Sequence, residues 1–377
     1  MDGPASPWRR RLLLGLAAWP AASTAAAEAP ATVSAQRVLD FPRDFGAHPA
    51  ARTEWWYATG WLEPADAPTA AEPQPRHGFQ LTFFRSRTTV DAANPSRFAA
   101  SQLLFAHAAV TDLAGRRLRH DQRIARQGFG IAEAATDDTD VRLRGWHFAR
   151  RGPAARSRYR AELASPDAGF TLALALETTQ PVLLQGEAGY SRKGPRPEQA
   201  SHYYSQPQLA VSGTLGLDGR AQSVRGRAWL DHEWSDALLD PQAVGWDWIG
   251  MNLLDGRALT AFRLRRADGS ALYAGGSLRG PGETHAQPFA SDAVRFEPGR
   301  AWTSPATRTR YPVEWTVHTP AGRHTVRALL DAQELDSRAS TGAIYWEGLS
   351  ELLDAAGARV GLGYLEMTGY AARLALS

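Results

Sequence analysis

The chain has 377 residues, 44% of them hydrophobic, with 13 tryptophans and a formal net charge of +3. Arg9, Arg10 and Arg11 against Asp2 supply +2 of that charge within Met1–Ala27, so the rest is nearly neutral with dispersed basic residues, and the high isoelectric point is no sign of a nucleic-acid partner. There is no cysteine, which excludes disulfides, thiol catalysis, thiolate metal sites, iron–sulfur clusters and a lipobox anchor.

The first residues, MDGPASPWRRRLLLGLAAWPAASTAAAEAP, set a basic segment before an apolar run and then small residues. Ala25-Ala26-Ala27 offers a cleavage site for a signal peptide over residues 1–27. The apolar run is short and broken by Pro20, so no integral membrane segment is expected in the mature chain. The arginines suit a Sec or a twin-arginine leader, and either implies a periplasmic or secreted protein.

Beyond the leader the pattern is β almost throughout. Arg76–Ser86 puts Phe79, Leu81 and Phe83 on one face at period two, and Ser101–Thr111 reads as a second strand before the turn Asp112–Gly115. Asp218-Gly219, Asp255-Gly256 and Asp268-Gly269 each lie between β-prone stretches and predict tight hairpins. Ala321-Gly322 and Ala356-Gly357 are weaker turn signals. Short helical windows fall at Asp292–Glu297 and Leu349–Ala355. Pro64–Arg76, rich in alanine and proline, reads as a surface loop. So many hairpins imply antiparallel meanders, and closure into barrels removes their edges. The polar, Gly/Pro-bearing segment Gly186–Gln208 divides the chain into two expected domains, 37–200 and 201–377.

Motifs for common chemistries are missing. There is no G-x-S-x-G, no Walker loop and no H-E-x-x-H, and the Gly-x-Gly pieces at Gly128 and Gly361 lack a third glycine. No cofactor and no metal site are expected. Over Gly226–Trp234, Leu230, His232 and Trp234 share one strand face, and Trp229, Asp231 and Glu233 share the other. His232 is either a satisfied core residue or a ligand-facing acid or base. Over Gly245–Leu253, Asp247 shares a face with Ile249, Met251 and Leu253, while Trp246 and Trp248 point the other way. A carboxylate on an apolar face finds donors or protonates. Asp247 is thus either locked by an arginine or tyrosine, or a carboxylic acid of raised pKa in an apolar cavity. Trp55 and Tyr57, in Glu54-Trp55-Trp56-Tyr57, suit a site rim or a packed first strand. His202 and Tyr204, in Ser201–Ser205, suit ligand contact or interface packing, and Arg192 and Lys193 read as solvated or interface charges.

Read in order, several segments resemble one family: FPRDFGAHPAARTEWWYATGWL at Phe41–Leu62, HGFQLTFFR at His77–Arg85, FAHAAVTD at Phe105–Asp112 and GYSRKGP at Gly189–Pro195. SHYYSQPQLAVSGTL at Ser201–Leu215, GRAWLDHEWS at Gly226–Ser235, GWDWIGMNLLDG at Gly245–Gly256 and GYLEMTGY at Gly363–Tyr370 continue it. The chain resembles the AttH / carotenoid 1,2-hydratase superfamily, in its exported AttH-like branch. That resemblance implies an all-β fold of two consecutive lipocalin-like antiparallel β-barrel domains. It implies hydratases that add water to an alkene of an isoprenoid molecule, cyclisation of apolar natural products, or association with an ABC-transporter permease. Members of the exported branch are commonly labelled hydrolases, although no serine nucleophile is visible here.

Two functions follow as expectations. One is a hydratase or lyase acting on an extended apolar molecule, isoprenoid or lipid, with Asp247 as the acid, His232 as its partner, and Trp234, Tyr204, His202, Tyr57 and Trp55 as ligand contacts. The other is a non-catalytic carrier or transporter accessory with the same aromatic cavity and no acid.

Overall fold

The computed structural model describes residues 33–68, 72–91, 93–236 and 239–374. The expected leader lies outside the described residues. The fold is all-β, with 56% of residues in strands and 3% helical, arranged in large antiparallel sheets of 13 and 10 strands. Among the described residues no helix is long and apolar enough to cross a membrane.

The first sheet is built around strand Thr53–Pro64, which pairs antiparallel with His77–Arg87 on one side and Arg220–Ser235 on the other. Gln102–Asp112 and Arg117–Arg126 extend it one way, and Ala200–Leu217, Phe170–Glu177 and Arg158–Ser165 extend it the other. Strand 117–126 comes against strand 140–143, so the sheet curls into a nearly closed barrel. Alternation then sorts the side chains. Trp56, Ala58, Leu62, Phe79, Leu81 and Phe83 fill the barrel.

The second sheet is centred on Gly245–Leu253, between Ala258–Arg265 and Arg359–Met367. Ala343–Leu353 follows the latter, and Ala271–Arg279 follows the former. Ile249, Met251, Trp315, Trp346 and Leu365 form its own core. The opposite faces of the two sheets meet in a third apolar cluster, which holds Tyr57, Trp61 and Trp229 from one side and Trp248, Leu349 and Tyr364 from the other. We call this contact the seam.

The hairpin expected at Asp218-Gly219 is present: Leu217 pairs with Arg220, and both turn residues have positive φ (48° and 79°), as a two-residue I′ turn requires. Two expectations need correction. The window 292–297 holds one 3₁₀ turn, Ser291–Ala293, and then strand residues from Arg295. Leu349–Leu353 is the end of a strand, because pairing with 359–367 buries Leu349 in the seam and Leu352 in the core. The change of sheet falls between Ser235 and Gly245, so strands 200–217 and 220–235, expected in the C-terminal domain, complete the first sheet. Segment 186–208 looks irregular because it is polar, yet His202 and Tyr204 are buried in strand 200–217.

The two sheets approach closely at Gly78. A Cβ there would lie 2.6 Å from the Tyr364 hydroxyl and 3.0 Å from Leu349 Cβ. Gly78→Ala therefore pushes the sheets apart, and thermal unfolding should show a loss of ~1–3 kcal/mol, the usual cost of overpacking.

Candidate functional site

The expected site residues divide among three buried environments. His232, Trp234, Tyr204 and His202 lie inside the barrel. There His232 sits 2.9 Å from Glu54 Oε1 through Nε2 and 3.0 Å from the Tyr204 hydroxyl through Nδ1. Burial pushes the His232 imidazole down to about 4, against the pull of Glu54. Neutral His232 therefore donates from Nε2 to Glu54 and accepts from Tyr204. Glu54 also meets His48 Nδ1 at 2.7 Å and accepts from Arg85 Nε at 2.7 Å, and His48 Nε2 meets Asp44 at 2.9 Å. Burial alone would raise the Glu54 carboxyl, but hydrogen bonds with His232 and His48 and the charges around it hold it far below the carboxylate range. Trp234 stacks on His48 at 3.6 Å, and Trp56 stacks on His232 at 4.7 Å.

His48, Glu54 and His232 are the group among the described residues whose potential metal-ligand atoms lie within 4.8 Å of one another. Their geometry is that of a hydrogen-bonded network. Arg85 holds the second oxygen of Glu54, Asp44 holds the second nitrogen of His48, and Tyr204 holds the second nitrogen of His232. A cation seated among them would face the Arg85 guanidinium. The rest of the barrel is filled by side chains such as Trp146, Phe148 and Tyr159. The two clearest recesses, of about 330 and 520 Å³, open at Tyr273–Asp292 and at Gln122–Arg338, away from every expected site residue.

Asp247 lies in the core of the second sheet. It accepts hydrogen bonds from Arg263 Nε at 2.7 Å and from the Tyr370 hydroxyl at 2.8 Å, with Arg265 Nε at 3.6 Å. It is thus locked by arginine and tyrosine, and it does not share a core with His232. The expected acid–partner pair is corrected on that ground: the two residues point into the interiors of different sheets.

Tyr57 and Trp55 face the seam, where the sequence reading overlooked the acids. Asp231 accepts hydrogen bonds from Trp229 Nε1 at 2.7 Å, from the Tyr203 hydroxyl at 2.8 Å and from Ser205. Burial pushes its carboxyl up to about 7 despite those donors. Glu347 and Glu366 are direct cross-strand neighbours. Burial raises both carboxyls; each raises the other, or is raised by the nearby acids, through repulsion. The buried Tyr57 hydroxyl lies beside the Glu347 carboxyl, and the side-chain hydrogen bond between them lowers the carboxyl against the larger upward push of burial. Tyr57 and Trp229 each set an edge-to-face contact on Trp248, at 5.5 and 6.3 Å. Trp55, Trp246 and Glu366 are half-buried and form the rim. The alternation that separated Asp231 and Glu233 from His232 was the available signal for this face. Nothing in the sequence marked it as covered by a second sheet.

A nearly closed antiparallel barrel backed by a second sheet, with acids and aromatic rings between them, defines a lipocalin-like two-sheet protein. The chain belongs to the AttH-like family, whose profile matches residues 32–370. An AttH of Nitrosomonas europaea, known from a crystal structure, is 46% identical over 90% of this chain and 99% of that one, with a TM-score of 0.80. Kievitone hydratase from Nectria haematococca is 14% identical over 91% of this chain and 95% of that one, with a TM-score of 0.65. CghA, in complex with Sch210972, is 13% identical over 85% and 88%, with a TM-score of 0.51. At such identities these last two show the shared fold alone. No curated protein matches the chain.

Two outcomes test this division. Asp247→Asn leaves Arg263 and Arg265 buried without their anion, so thermal unfolding should show a loss of ~3–5 kcal/mol. The seam gives a pH dependence of the opposite kind. Carboxyls whose folded pKa is raised stabilise the fold fully below their unfolded value of ~4, and that stability is lost as pH rises through ~7. Buried histidines with lowered folded pKa act in the opposite sense over about pH 4–6.5, so the seam contribution is read as a difference between wild type and a seam variant. Measured against Glu366→Gln, the wild-type melting temperature should fall between about pH 4 and about pH 7 and level off above that, because the Glu366 carboxyl is raised to about 7.

Proposed function

We propose that this protein is an exported hydratase or related lyase that protonates an alkene of an extended apolar molecule at the seam. The observation that carries this reading is the juxtaposition there of Asp231, Glu347 and Glu366 with the rings of Tyr57, Trp229 and Trp248. Adding water to an alkene starts with a proton. A carboxylic acid that keeps its proton near neutral pH, in a dry aromatic setting, is suited to deliver it. Asp231 is the acid in this reading. Its proton goes to one alkene carbon, and the other carbon becomes cationic. The faces of Tyr57, Trp229 and Trp248 stabilise that charge. Water then adds to the cation, and its surplus proton passes to a seam carboxylate. The sum is alkene plus water giving a tertiary alcohol, with no change of redox state.

Barrel-interior residues serve as support in this reading. His232 holds Glu54 and Tyr204 in place, across the strand from Asp231 and Glu233. The barrel interior has less support as the reaction site, because its buried carboxyl, Glu54, is held ionised by its partners and carries no proton to give.

The test uses kievitone, a substrate named by a relative of the same fold, and simpler prenylated phenols in heavy-oxygen water. Wild-type protein should place the heavy oxygen in an alcohol product. Asp231→Asn should stay folded and lose turnover by about 10²–10⁴-fold, the usual weight of general acid catalysis. Undiminished turnover in that variant removes Asp231 from the mechanism, and no hydration by the wild type across the set removes the reaction.

A further inference from the structure

Most of the large hydrophobic side chains left exposed lie at one end of the barrel. Phe98 is 71% exposed, Phe129 50% and Ile131 48%, and Val90 and Ile124 belong to the same end. Among the described residues, Val38 and Leu254 are the exposed large hydrophobics elsewhere. Strand order explains the grouping. Segment 88–101 joins strand 77–87 to strand 102–112, and segment 127–131 leaves strand 117–126, whose Arg126 pairs with Leu103. Both segments therefore emerge together and form a tip. There the Phe98 and Phe129 rings stack at 5.8 Å, and the Arg126 guanidinium lies over both, at 5.0 and 4.3 Å. Gly128, Phe129 and Gly130 all have positive φ, at 106°, 61° and 69°. A phenylalanine seldom takes the left-handed region, and here the result is a ring held out in water.

Charge at the tip is one-sided. Arg87, Arg97, Arg126 and Arg144 stand against Asp91 and Glu133, and among the described residues none of these four arginines forms an ion pair. Several arginines at other surfaces are matched, as Arg119 is by Asp218, Arg225 by Glu63 and Arg300 by Asp331. Clustered apolar side chains ringed by unneutralised guanidinium groups fit a partner that is apolar within and anionic at its surface.

We propose that this tip docks onto the surface of an anionic phospholipid bilayer, with Phe98, Phe129 and Ile131 entering the boundary between headgroups and acyl chains. Arg87, Arg97, Arg126 and Arg144 then meet lipid phosphates, whose oxygens suit the guanidinium fork. Docking of this kind lies in the interface and needs no spanning helix. A second copy of the chain is a poorer occupant, because face-to-face contact would bring two sets of unneutralised arginines together. A neutral apolar partner would leave them without counter-charge. The rim of the seam lies at the same end, since Trp55 pairs with Phe84, three residues before Arg87. Docking therefore brings that rim near the apolar phase in which extended apolar molecules collect. The inference stands apart from the proposed reaction, because neither its residues nor its test involves turnover.

The experiment sediments the full chain with vesicles of phosphatidylcholine, with and without phosphatidylglycerol. Any contribution of residues 1–27 is then common to every variant. Phosphatidylglycerol should tighten binding at least about tenfold, and raising salt from about 0.05 M to about 0.5 M should reverse most of that gain. The exposed pairs Phe98→Ser with Phe129→Ser, and Arg97→Glu with Arg144→Glu, should each weaken binding about tenfold or more without moving the melting temperature. The chain has no cysteine, so one introduced thiol carries a polarity-sensitive dye at a single place. Dye on Ile131→Cys should shift to the blue on vesicles. Dye on Ala114→Cys, in the turn at the opposite end of strands 102–112 and 117–126, should not. If one pair of substitutions fails to fold, the other pair and the dye decide. No binding to phosphatidylglycerol vesicles, equal binding to both vesicle types, affinity indifferent to both pairs, or equal dye shifts at 114 and 131 overturns the inference. So does a wild-type dimer that Phe98→Ser with Phe129→Ser dissociates, since the tip would then belong to a second copy.

Discussion

Residues 56–62 of strand 53–64 and 228–234 of strand 220–235 are covered on both faces, and the rest of the structure depends on that constraint. A strand in an open antiparallel sheet gives one face to a core and the other to water. Here one face fills a barrel and the other meets a second sheet, so every residue from Trp56 to Leu62, and every residue from Ala228 to Trp234, is buried. Polar side chains on such strands cannot escape to solvent at either parity. Each must find a partner across the sheet, or keep a proton. The character of each buried environment follows from how far the neighbouring strands meet that demand.

The barrel interior meets it around Glu54. Glu54, buried and ionised, is met by Arg85 from the adjacent strand and by two histidines, one from the loop before it and one from the strand on its other side. The second core meets it as well, with Arg263 directly opposite Asp247 in register and Tyr370 closing the remaining oxygen. A network of this kind fixes strand register and disfavours proton transfer, since both oxygens of each carboxylate are engaged by donors. The seam is different. Glu347 faces Glu366 across the strand pair, a like-charge placement that is unfavourable between ionised groups. Such a placement is tolerable where the pair holds a proton.

Much of the fold was readable in the sequence. Period-two alternation at Phe79, Leu81 and Phe83 and the Asp-Gly turns placed strands and hairpins where they are found. Alternation also put His232 and Trp234 on one face and Asp231 and Glu233 on the other. The sheet boundary near Ser235 was not readable, because a polar strand such as Ser201–Ser205 looks like a loop until its partners are known. The site was legible only in part. Asp247 was recognisable as a buried carboxylate, but whether it met Arg263 or an open cavity depended on a pairing register 16 residues away. Glu54 and His232 are 178 residues apart, and Glu347 and Glu366 meet only through a strand pair. No local pattern encodes contacts of that range.

The three buried acids also explain why a carboxylate in an apolar strand is a poor guide to chemistry by itself. Glu54, Asp247 and Glu347 are all nearly inaccessible to water. Desolvation pushes Glu54 and Glu347 toward the protonated form. What separates them is the supply of positive charge from neighbouring strands. Glu54 and Asp247 receive guanidinium groups at 2.7 Å, while Glu347 receives a second glutamate across the strand and the neutral Tyr57 hydroxyl. Glu54 is fixed as an anion and cannot give up a proton it does not hold, and Asp247 is locked between Arg263 and Tyr370. Glu347 keeps its proton for want of a counter-charge. Reactivity in this fold therefore follows from where compensation is withheld, and it is withheld at the contact between the sheets, where each sheet presents acids to the other and aromatic rings fill the space between.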